Sequence, residues 1–417
     1  MRKIRKEFYL GKSSLSFASQ TINRIVMIHV NELNDCCGCT ACCTVCRKDA
    51  IIMKEDAKGF KYPFVNFDLC VDCGLCEKVC PIQNAVKLHI PQRGYCVRHK
   101  NIEHVKSSRS GAAFVAISDA ILSLGGVVYG ATFDADFKVV HRRADNTSQR
   151  DSFKGSKYTQ SNLDDIFSLV VRDLNEGRYV LFTGTPCQVA GLRNVVPVRL
   201  LPKLFLIDLV CHSVSSPKIW DDYLRYIKKL YGKEFASVSF RDKQKGWASH
   251  YESFSFIGGG KKVFRRSFAD LFCKNLINRE SCGNCKFSTR CRVGDITLAD
   301  FWGWESVTDI NKDNLGVSLC LVSTEKGARL LSMSGEELHL TELSPDSYEQ
   351  PNLCHPTLPS PLTNSFWADF SLRGFPYVLK KYGENNLRSK LGRVKFNLQL
   401  AIRGKKNFLE IFDVLYR

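Results

Sequence analysis

Apolar residues follow helical and strand-like spacings in alternation through much of the chain. Residues 111–124 repeat apolar side chains at helical spacing, and residues 127–133 then have the continuous apolar character of a buried strand. A second helix is predicted over 164–175, and the apolar run 179–183 after it predicts another strand. This order of helices and strands is typical of a mixed α/β sheet.

The same alternation continues into the second half. Residues 204–210 predict a further buried strand, and Ser216-Pro217 opens a helix to about residue 231, because Ser is a good N-cap and Pro fits a first helical turn. Residues 233–320 are richer in strand signals, which a turn of three glycines at 258–260 interrupts. Helices and strands therefore alternate up to residue 231, and strands predominate after it. The short strand at 95–98, before all of these, is interpreted as part of a connector.

The N-terminal part of the chain has a different pattern, in which cysteines recur at fixed intervals. Two runs of the same spacing, C-x2-C-x2-C-x3-C, are joined by a turn at 56–59. In bacterial two-cluster ferredoxins, three thiolates of one run hold a 4Fe-4S cluster and the fourth cysteine reaches the other cluster. We therefore predict a two-cluster ferredoxin-like domain over 34–88. Its ligands are Cys36, Cys39, Cys42 and Cys80 for one cluster and Cys70, Cys73, Cys76 and Cys46 for the other.

Two glycines favour clusters over zinc or disulfide bonds in this domain. Gly38 and Gly74 lie inside the cysteine loops, where the backbone must wrap closely around an inorganic core. Cys37 and Cys43 are surplus thiols, which we interpret as non-ligands. Because thiolate ligands need a reducing compartment, the pattern predicts a cytoplasmic protein.

Further cysteines follow the predicted strands. Cys187 and Cys211 each come soon after a strand, and the carboxyl ends of neighbouring strands meet at one edge of an open sheet. Together with Cys282 and Cys285, they would suit a third 4Fe-4S cluster. Three other interpretations stay open: small buried residues, a zinc site that includes Cys291, and a reactive thiol at Cys187.

The formal net charge of +18 lies mostly at the two ends of the chain. Residues 1–26 contain six basic residues and one acidic residue, and residues 373–417 contain eleven basic and three acidic residues. No recognition motif accompanies this charge, so we predict no nucleic-acid partner. No apolar run approaches the roughly 20 residues that a membrane span needs, which leaves at most peripheral membrane contact.

The length of 417 residues predicts two or three domains, flanked by an additional segment at each end. Residues 1–33 are interpreted as an N-terminal extension, which an alternative start at Met27 or an organellar transit peptide would explain. Residues 346–417 are interpreted as a basic, largely helical C-terminal segment.

Five short segments occur in order and carry a resemblance to a known family. They are Gly155-Ser156-Lys157-Tyr158, Gly184-Thr185-Pro186-Cys187-Gln188, Asp208-Leu209-Val210-Cys211-His212, Phe240-Arg241-Asp242-Lys243 and Asp300-Phe301-Trp302-Gly303. Over about residues 93–345 the chain strongly resembles the beta-subunit family of coenzyme F-420 hydrogenases and dehydrogenases. The resemblance implies FAD, and it implies a third cluster at the four later cysteines. The expected fold class is α+β, with a ferredoxin-like domain followed by a mixed α/β flavin-binding domain of that type.

The resemblance also implies which residues contact FAD. Ser110 and Gly111 lie in a small-residue loop that opens a helix, whose free N–H groups suit a diphosphate. The family usually has Ser-Gly-Gly in this loop, whereas the third residue here is Ala112. The other expected cofactor contacts are Gly155, Ser156, Lys157, Tyr158, Thr185 and Asp300.

Lys157 and His212 are the expected catalytic groups. Lys157 would place a positive charge near the phosphates or the reduced ring, and His212 would donate a proton, because its ordinary pKa lies near neutrality. Without the family, an ordinary surface lysine and a satisfied buried histidine remain the alternatives.

These features predict a flavin-dependent iron-sulfur oxidoreductase, which moves electrons between an organic hydride donor or acceptor and its clusters. Coenzyme F-420 is the substrate that the family implies. A reductase in polysaccharide biosynthesis is the alternative, because bacterial relatives with this layout are often encoded beside such genes. The expected partner is a redox protein or a soluble electron carrier. The competing class is a non-catalytic electron-transfer subunit that feeds another enzyme.

Overall fold

The computed structural model describes residues 28, 30, 32–307, 310 and 313–383. Within these residues the strands are β1 (Ile51–Glu55), β2 (Lys61–Val65), β3 (Arg93–His99), β4 (Val127–Phe133), β5 (Val139–Ala144), β6 (Val180–Gly184), β7 (Leu204–Leu209), β8 (Phe235–Ser239), β9 (Glu252–Phe256), β10 (Val263–Arg265), β11 (Ile296–Asp300), β12 (Ser318–Val322) and β13 (Leu338–Leu343). The α-helices are α1 (Ala41–Thr44), α2 (Leu75–Val79), α3 (Ile102–Ser107), α4 (Ala113–Ser123), α5 (Thr147–Asp151), α6 (Ile166–Asn175), α7 (Pro186–Val195), α8 (Pro217–Tyr231), α9 (Ser267–Cys273), α10 (Glu325–Met333), α11 (Thr363–Arg373) and α12 (Phe375–Tyr382).

Eight strands form one mixed sheet in the order β13-β3-β12-β11-β7-β6-β4-β5. Its centre is parallel, because β4 pairs with β6, β6 with β7 and β7 with β11. The strands on both sides of this centre pair in antiparallel fashion. Since β6, β7 and β11 run in the same direction, the segments that follow them all leave the sheet at one edge.

Apolar cores cover both faces of this sheet. On one face, α4 and α10 bury Ile117 and Leu330 against the central strands. On the other face, α6 and α7 bury Phe167 and Val189, and this core also includes Cys39 of the front domain. The ferredoxin-like domain therefore packs directly on the second face, through α7.

A second sheet, in the order β10-β9-β8, shares a separate core with α8, α9, α11 and α12. Trp220 of α8 is fully buried at its centre and stacks on Phe240, with ring centroids 4.1 Å apart. As the sequence predicts, Ser216 caps α8, and its hydroxyl accepts a hydrogen bond from the Ile219 N–H at 3.1 Å.

Two close contacts hold the ferredoxin-like domain in place. Gly191 lies inside α7, and a Cβ at this position would come within 2.8 Å of the Cys39 sulfur. The turn between β1 and β2 meets the start of α8 at Gly59, where a Cβ would lie 2.7 Å from the Lys218 nitrogen. In the same turn, Lys58 forms an ion pair with Glu280. Glycine is needed at both positions because a side chain would collide with the Cys39 side chain at Gly191 and with the Lys218 backbone at Gly59.

The structure confirms the ferredoxin-like front part and the α/β alternation. Predicted helices 111–124 and 164–175 contain α4 and α6, and the strand predictions correspond to β4, β6 and β7. The strand interpreted as part of a connector is instead β3, an interior strand of the main sheet. Its neighbours β12 and β13 follow it by more than 200 residues, so local pattern could not reveal the pairing.

The C-terminal segment packs against the rest of the chain. Its helices α11 and α12 are part of the Trp220 core, and residues 346, 347 and 349–352 line the larger cavity described below. The segment is thus integrated with the rest of the chain as far as residue 383. Residues 384–417, and the extension at 1–27, 29 and 31, lie outside the described residues. Every helix that the structure describes is too short or too polar to cross a lipid bilayer.

Candidate functional site

The segments that follow β6, β7 and β11 meet at one edge of the sheet and line two cavities. In the sheet, Gly184 of β6 pairs with Asp208 of β7, and Leu209 of β7 pairs with Leu298 of β11. Cys187, Cys211 and Asp300 lie at or just beyond these strand ends. The sequence expectation that these chemically active residues converge at the carboxyl ends of neighbouring strands is therefore met in the fold.

The smaller cavity, of about 360 Å³, gathers the four cysteines expected to hold a third cluster. Cys187, Cys211, Cys282 and Cys285 all line it. Burial raises the pKa of Cys211 well above its ordinary value, and the three other thiols add to this effect. Burial likewise raises the pKa of Cys282 to about 12. Four buried thiols that oppose one another's ionisation fit a cationic iron core, which would stabilise all four as thiolates.

Each of these cysteines is positioned by well-defined local structure. Cys187 lies in the first turn of α7, which Thr185 begins, and the Gln188 side chain accepts a hydrogen bond from the Thr185 N–H at 3.0 Å. Cys211 follows Asp208, whose fully buried carboxylate accepts hydrogen bonds from the turn after Arg292. Cys282 lies in the short 3-10 helix Glu280–Asn284, and Cys285 follows it directly.

The surplus thiol Cys37 also reaches this cavity. It lines the cavity, and its thiol is close enough to Cys187 to raise the pKa of that thiol. Cys291, which the zinc alternative required, is not among the lining residues. Among the described residues, no three His, Cys, Asp or Glu side chains surround one point closely enough to hold a single metal ion. A cubane instead keeps its ligand sulfurs apart by the width of its iron and sulfide atoms.

Cysteines from the two runs of the ferredoxin-like domain lie close to one another in space. Cys80, from the second run, is near enough to Cys36 and Cys42 to affect their ionisation. Cys42, Cys76 and Cys80 share one small core with Ile28. Backbone N–H groups donate to sulfur, as from Ile28 to Cys76 at 3.2 Å, which is a common way to tune cluster potentials. Both loop glycines, 38 and 74, have positive φ, as their placement predicts.

The larger cavity, of about 680 Å³, contains nearly all of the residues expected to contact FAD. Those lining it are Ser110, Gly155, Ser156, Lys157, Tyr158, Thr185, His212 and Asp300. Gly111 does not line it. Its backbone packs against β3 and β12 instead, and a Cβ there would lie 2.1 Å from the Val97 oxygen. Glycine at this position therefore serves packing of the loop.

The loop before α4 presents unpaired donors to this cavity. The Ser108 hydroxyl and the Arg109 Nε are buried and have no hydrogen-bond partner among the described residues. The other Arg109 nitrogens make only long contacts of 3.5 Å with the carbonyls of Arg241 and Ser249. Burial and the nearby Arg241 lower the pKa of Arg109 to about 10. Buried donors at a helix N-terminus fit an anionic group such as a diphosphate.

Ala112, where the family usually has glycine, has a left-handed backbone with φ of +63°. This conformation costs an L-residue about 1–2 kcal/mol, and glycine adopts it freely. We expect Ala112→Gly to leave the free energy of unfolding unchanged or raise it by up to about 1 kcal/mol, because relief of strain offsets the greater freedom of glycine in the unfolded chain. Ala116→Gly, in the interior of the same helix, should lower it by about 1 kcal/mol. Urea unfolding of both variants tests this, and equal losses would contradict it.

Lys157 is held by the loop that contains it. Its ammonium donates to the carbonyls of Ser152, Phe153 and Lys154 at 2.8–3.1 Å. Burial lowers the pKa of Lys157 to about 7, while the three acceptors favour the charged form. These hydrogen bonds fix the position of the ammonium in the wall of the cavity. The sequence alone could not show this position.

Arg241 connects three of the motif segments. It donates to the Asp300 carboxylate at 2.6 Å, to the Tyr158 hydroxyl at 3.0 Å and to the Trp247 carbonyl at 2.9 Å. Burial alone would raise the pKa of Asp300, but Arg241 and Arg109 together hold it below its usual value. Asp300 is therefore an ionised, fixed acceptor in the wall of the larger cavity.

Two histidines in the cavity wall have fixed tautomers. The Nε2 of His212 lies 2.9 Å from the Asn275 side-chain oxygen, its Nδ1 lies 3.1 Å from the Thr357 hydroxyl, and burial lowers its pKa. These contacts and the lowered pKa favour a neutral ring held in one orientation, rather than a protonated ring that transfers a proton. His141, which sequence reasoning missed, donates from Nε2 to the Thr183 carbonyl at 3.0 Å and buries an unpaired Nδ1. Burial lowers its pKa to about 4, so Nδ1 is a free acceptor for a ligand N–H or O–H.

The two cavities share one wall. Thr185, Gln188, Cys211, His212, Ser213 and Val214 line both of them. A ligand in the larger cavity would therefore be separated from the four cysteines by a single layer of residues. Such proximity suits electron transfer between two redox centres.

Comparisons with known proteins match two parts of the chain to known families. Residues 177–346 match the family that represents the C terminus of the beta subunit in coenzyme F-420 hydrogenase/dehydrogenase, and residues 35–84 match the 4Fe-4S dicluster domain. The coenzyme F-420-dependent sulfite reductase of Methanocaldococcus jannaschii is 26% identical over 330 residues, which are 72% of this chain and 46% of that protein. The chain thus spans about half the length of this curated relative.

Among solved structures, a chain of the F-420-reducing nickel-iron hydrogenase complex from Methanosarcina barkeri is 16% identical, with a TM-score of 0.40. The match covers 61% of this chain and 83% of that one. The two family matches confirm the family predicted from the motifs. The chain therefore joins a 4Fe-4S dicluster domain to a C-terminal domain of the coenzyme F-420 hydrogenase/dehydrogenase beta-subunit family.

Proposed function

We propose that the protein is a flavin-dependent iron-sulfur oxidoreductase with three 4Fe-4S clusters. The observation that carries this proposal is the shared wall of the two cavities, which brings a cofactor-sized space next to four converging cysteines. When bound, FAD exchanges two electrons with an organic hydride donor or acceptor and passes single electrons to iron-sulfur clusters. The ferredoxin-like domain, which packs on α7, would continue the path toward the surface.

The residues of the larger cavity fit FAD at several points. Ser108 and Arg109 would hold the diphosphate with otherwise unpaired donors, and Ser110 beside them also lines the cavity. The fixed ammonium of Lys157 would stabilise negative charge on a reduced ring, and the free acceptor of His141 would receive an N–H or O–H of the cofactor. His212 would orient the ring at the boundary with the third cluster. Each of these roles depends on this chain's own contacts.

The substrate that we propose is coenzyme F-420 or another anionic organic hydride carrier. Arg109, Lys154, Lys157 and Arg241 line the cavity and make its surface suited to negative charge. The relative's name includes sulfite reduction, but this chain spans only 46% of that protein. We therefore propose for this chain only the transfer of electrons between a hydride carrier and the clusters.

Anaerobic purification, with iron, sulfide and flavin measured in the same sample, tests the proposal. We expect about twelve irons and about one FAD per chain. Clusters without flavin, together with co-purification of a larger enzyme, would instead support the non-catalytic electron-transfer subunit. About eight irons would show that the third cluster is absent.

A partner protein would dock where the second cluster of the ferredoxin-like domain reaches the surface. Cys73, one of its expected ligands, is exposed. Phe67 and Val71 beside it are 70% and 59% exposed, and the cross-strand pair Ile52 and Phe64 adds further exposed apolar surface. Apolar patches of this kind commonly mark protein interfaces. We propose that a redox protein with its own cluster docks on this patch.

Polar substitution of the patch should slow electron transfer to a protein acceptor but not to a small one. Phe67→Ser combined with Val71→Ser should lower the rate with a bacterial two-cluster ferredoxin by roughly tenfold, which is the effect of losing an interface hot spot. The rate with methyl viologen should stay unchanged, because this small dye needs no docking surface. Leu372→Ser, an equally exposed change on α11, is the control. Equal slowing with both acceptors would contradict the proposal that a redox protein docks on this patch.

A further inference from the structure

Arg279 lies at the boundary between the ferredoxin-like domain and the cavity of the four later cysteines. Its side chain is only 2% exposed and lines that cavity. It comes directly after Asn278, which forms an isolated antiparallel bridge with Ser215, and it precedes the 3-10 helix that contains Cys282. No motif of the family resemblance includes it.

The guanidinium of Arg279 is fixed by three hydrogen bonds in different directions. Its Nε donates to the carbonyl of Cys36 at 3.0 Å, one Nη to the Gln160 side-chain oxygen at 2.9 Å, and the other Nη to the carbonyl of Lys61 at 3.0 Å. Gln160 in turn donates to the carbonyl of Cys37 at 3.0 Å. The guanidinium also lies over the Tyr62 ring at 4.2 Å. Arg279 therefore fixes the first cysteine loop against the main domain.

All three hydrogen-bond acceptors of Arg279 are neutral. Among the described residues, no Asp or Glu pairs with it within ion-pair distance, and its neighbours Lys58 and Glu280 pair with each other. A buried charge without a counter-charge is costly, so a stable fold requires an anionic group nearby. Iron-sulfur clusters with thiolate ligands are such groups, because the complete unit carries net negative charge.

The charge of Arg279 reaches cysteines on both sides of the boundary. The Arg279 Nε lies 3.0 Å from the carbonyl oxygen of Cys36, an expected ligand of the first cluster. Its side chain also lines the cavity that Cys187, Cys211, Cys282 and Cys285 share. The same residue is therefore close enough to stabilise negative charge on the first ferredoxin cluster and in the cavity proposed for the third.

We propose that Arg279 is a positioning residue that tunes the potentials of the two clusters it lies between. Reduction adds one electron to a cluster, and a fixed positive charge stabilises the more negative, reduced state. Arg279 thereby raises the reduction potential of the first cluster, which the dicluster domain supplies, and of the third, which rests on the proposed function. It also keeps these clusters in a fixed relation by holding Cys36.

The test is a redox titration of anaerobically prepared protein, followed by electron paramagnetic resonance, with iron counted in each sample. In Arg279→Gln we expect at least one cluster to shift to a more negative potential, because a neutral amide replaces the charge. Arg279→Lys retains the charge and should stay near the wild-type value. Gln160→Leu is the matched control, because it disrupts the same hydrogen-bond network without a change of charge.

The outcomes distinguish this inference from the proposed function. If the wild-type protein contains about eight irons, the third cluster of the proposed function is absent. The shift in reduction potential is then expected in the first cluster alone. Unchanged potentials in fully loaded Arg279→Gln would overturn the role of Arg279. If Arg279→Gln fails to load iron, Arg279→Lys and Gln160→Leu give the result: a negative shift in Arg279→Lys as large as that in Gln160→Leu would show that geometry, not charge, sets the potential.

Discussion

Cys282→Ala should remove about four of about twelve irons per chain and leave the two ferredoxin clusters intact. Cys282 lies in the wall of the 360 Å³ cavity with three other cysteines, so its loss leaves a cubane with three protein ligands. Alanine has no oxygen that could replace the sulfur. Iron analysis, together with the resonance signals of the reduced protein, gives the result.

Cys282 is a better choice than Cys187 for this experiment because of Cys37. The Cys37 thiol is close enough to Cys187 to affect its pKa and lines the same cavity, so it could substitute as a ligand when Cys187 is lost. Cys282 shows no such surplus neighbour among the described residues. Cys291→Ala is the matched control, since this nearby, half-buried thiol does not line the cavity. Twelve irons in Cys282→Ala, or eight in Cys291→Ala, would contradict the ligand assignment.

The sequence was most informative where chemistry imposes a fixed spacing. Two runs of cysteines with identical spacing predict the ferredoxin-like domain, and a residue that follows a parallel strand must lie at the carboxyl edge of the sheet. For this reason Cys187 and Cys211 could be expected to meet although they are distant in sequence. The convergence of Cys282 and Cys285 on the same place was one of several open interpretations, because no local pattern connects them to β6 or β7, and the family resemblance favoured it.

Long-range pairing and the direction of side chains could not be predicted in this way. The strand β3 has ordinary local character, and its interior position follows from pairing with β12 and β13. Gly111 matches a cofactor motif, yet its role is to allow close approach to Val97. His141 occurs in β5 without any motif, and only the fold shows that its Nδ1 is buried and unpaired.

Cys37 shows how the two parts of the chain depend on each other. As a surplus thiol it has no role in a ferredoxin considered alone. In the fold, Cys37 is adjacent to ligand Cys36 in sequence and adjacent to Cys187 in space. Cys37 thus connects the loop expected to bind the first cluster with the 360 Å³ cavity of the four later cysteines. The interface between the domains is therefore part of the proposed electron path, which explains why Gly191 and Arg279 pack so closely against the first cysteine loop.

Arg241→Met should have the largest effect on stability of any single change in the larger cavity. The side chains of Arg241 and Asp300 are 4% and 16% exposed, and loss of the arginine removes the ion-pair partner of the buried Asp300 carboxylate, so that only the more distant charge of Arg109 remains near it. Breaking one side of such a buried pair costs about 3–5 kcal/mol. The variant also loses the hydrogen bonds to Tyr158 and the Trp247 carbonyl, so flavin content should fall as well. Urea unfolding and flavin absorbance of the purified protein measure the two effects.

The double variant Arg241→Met with Asp300→Asn separates the charge from the shape of the site. Because the neutral amide costs less to bury without a partner than the carboxylate, the double variant should regain a substantial part of the lost unfolding free energy. Flavin content should not recover, since neither replacement restores the contact to Tyr158. Arg290→Met is the control for losing an ion pair in general, because the pair of Arg290 with Glu349 is exposed and should contribute little. A loss in Arg241→Met no larger than in Arg290→Met would show that the buried pair does not hold the wall of the cavity.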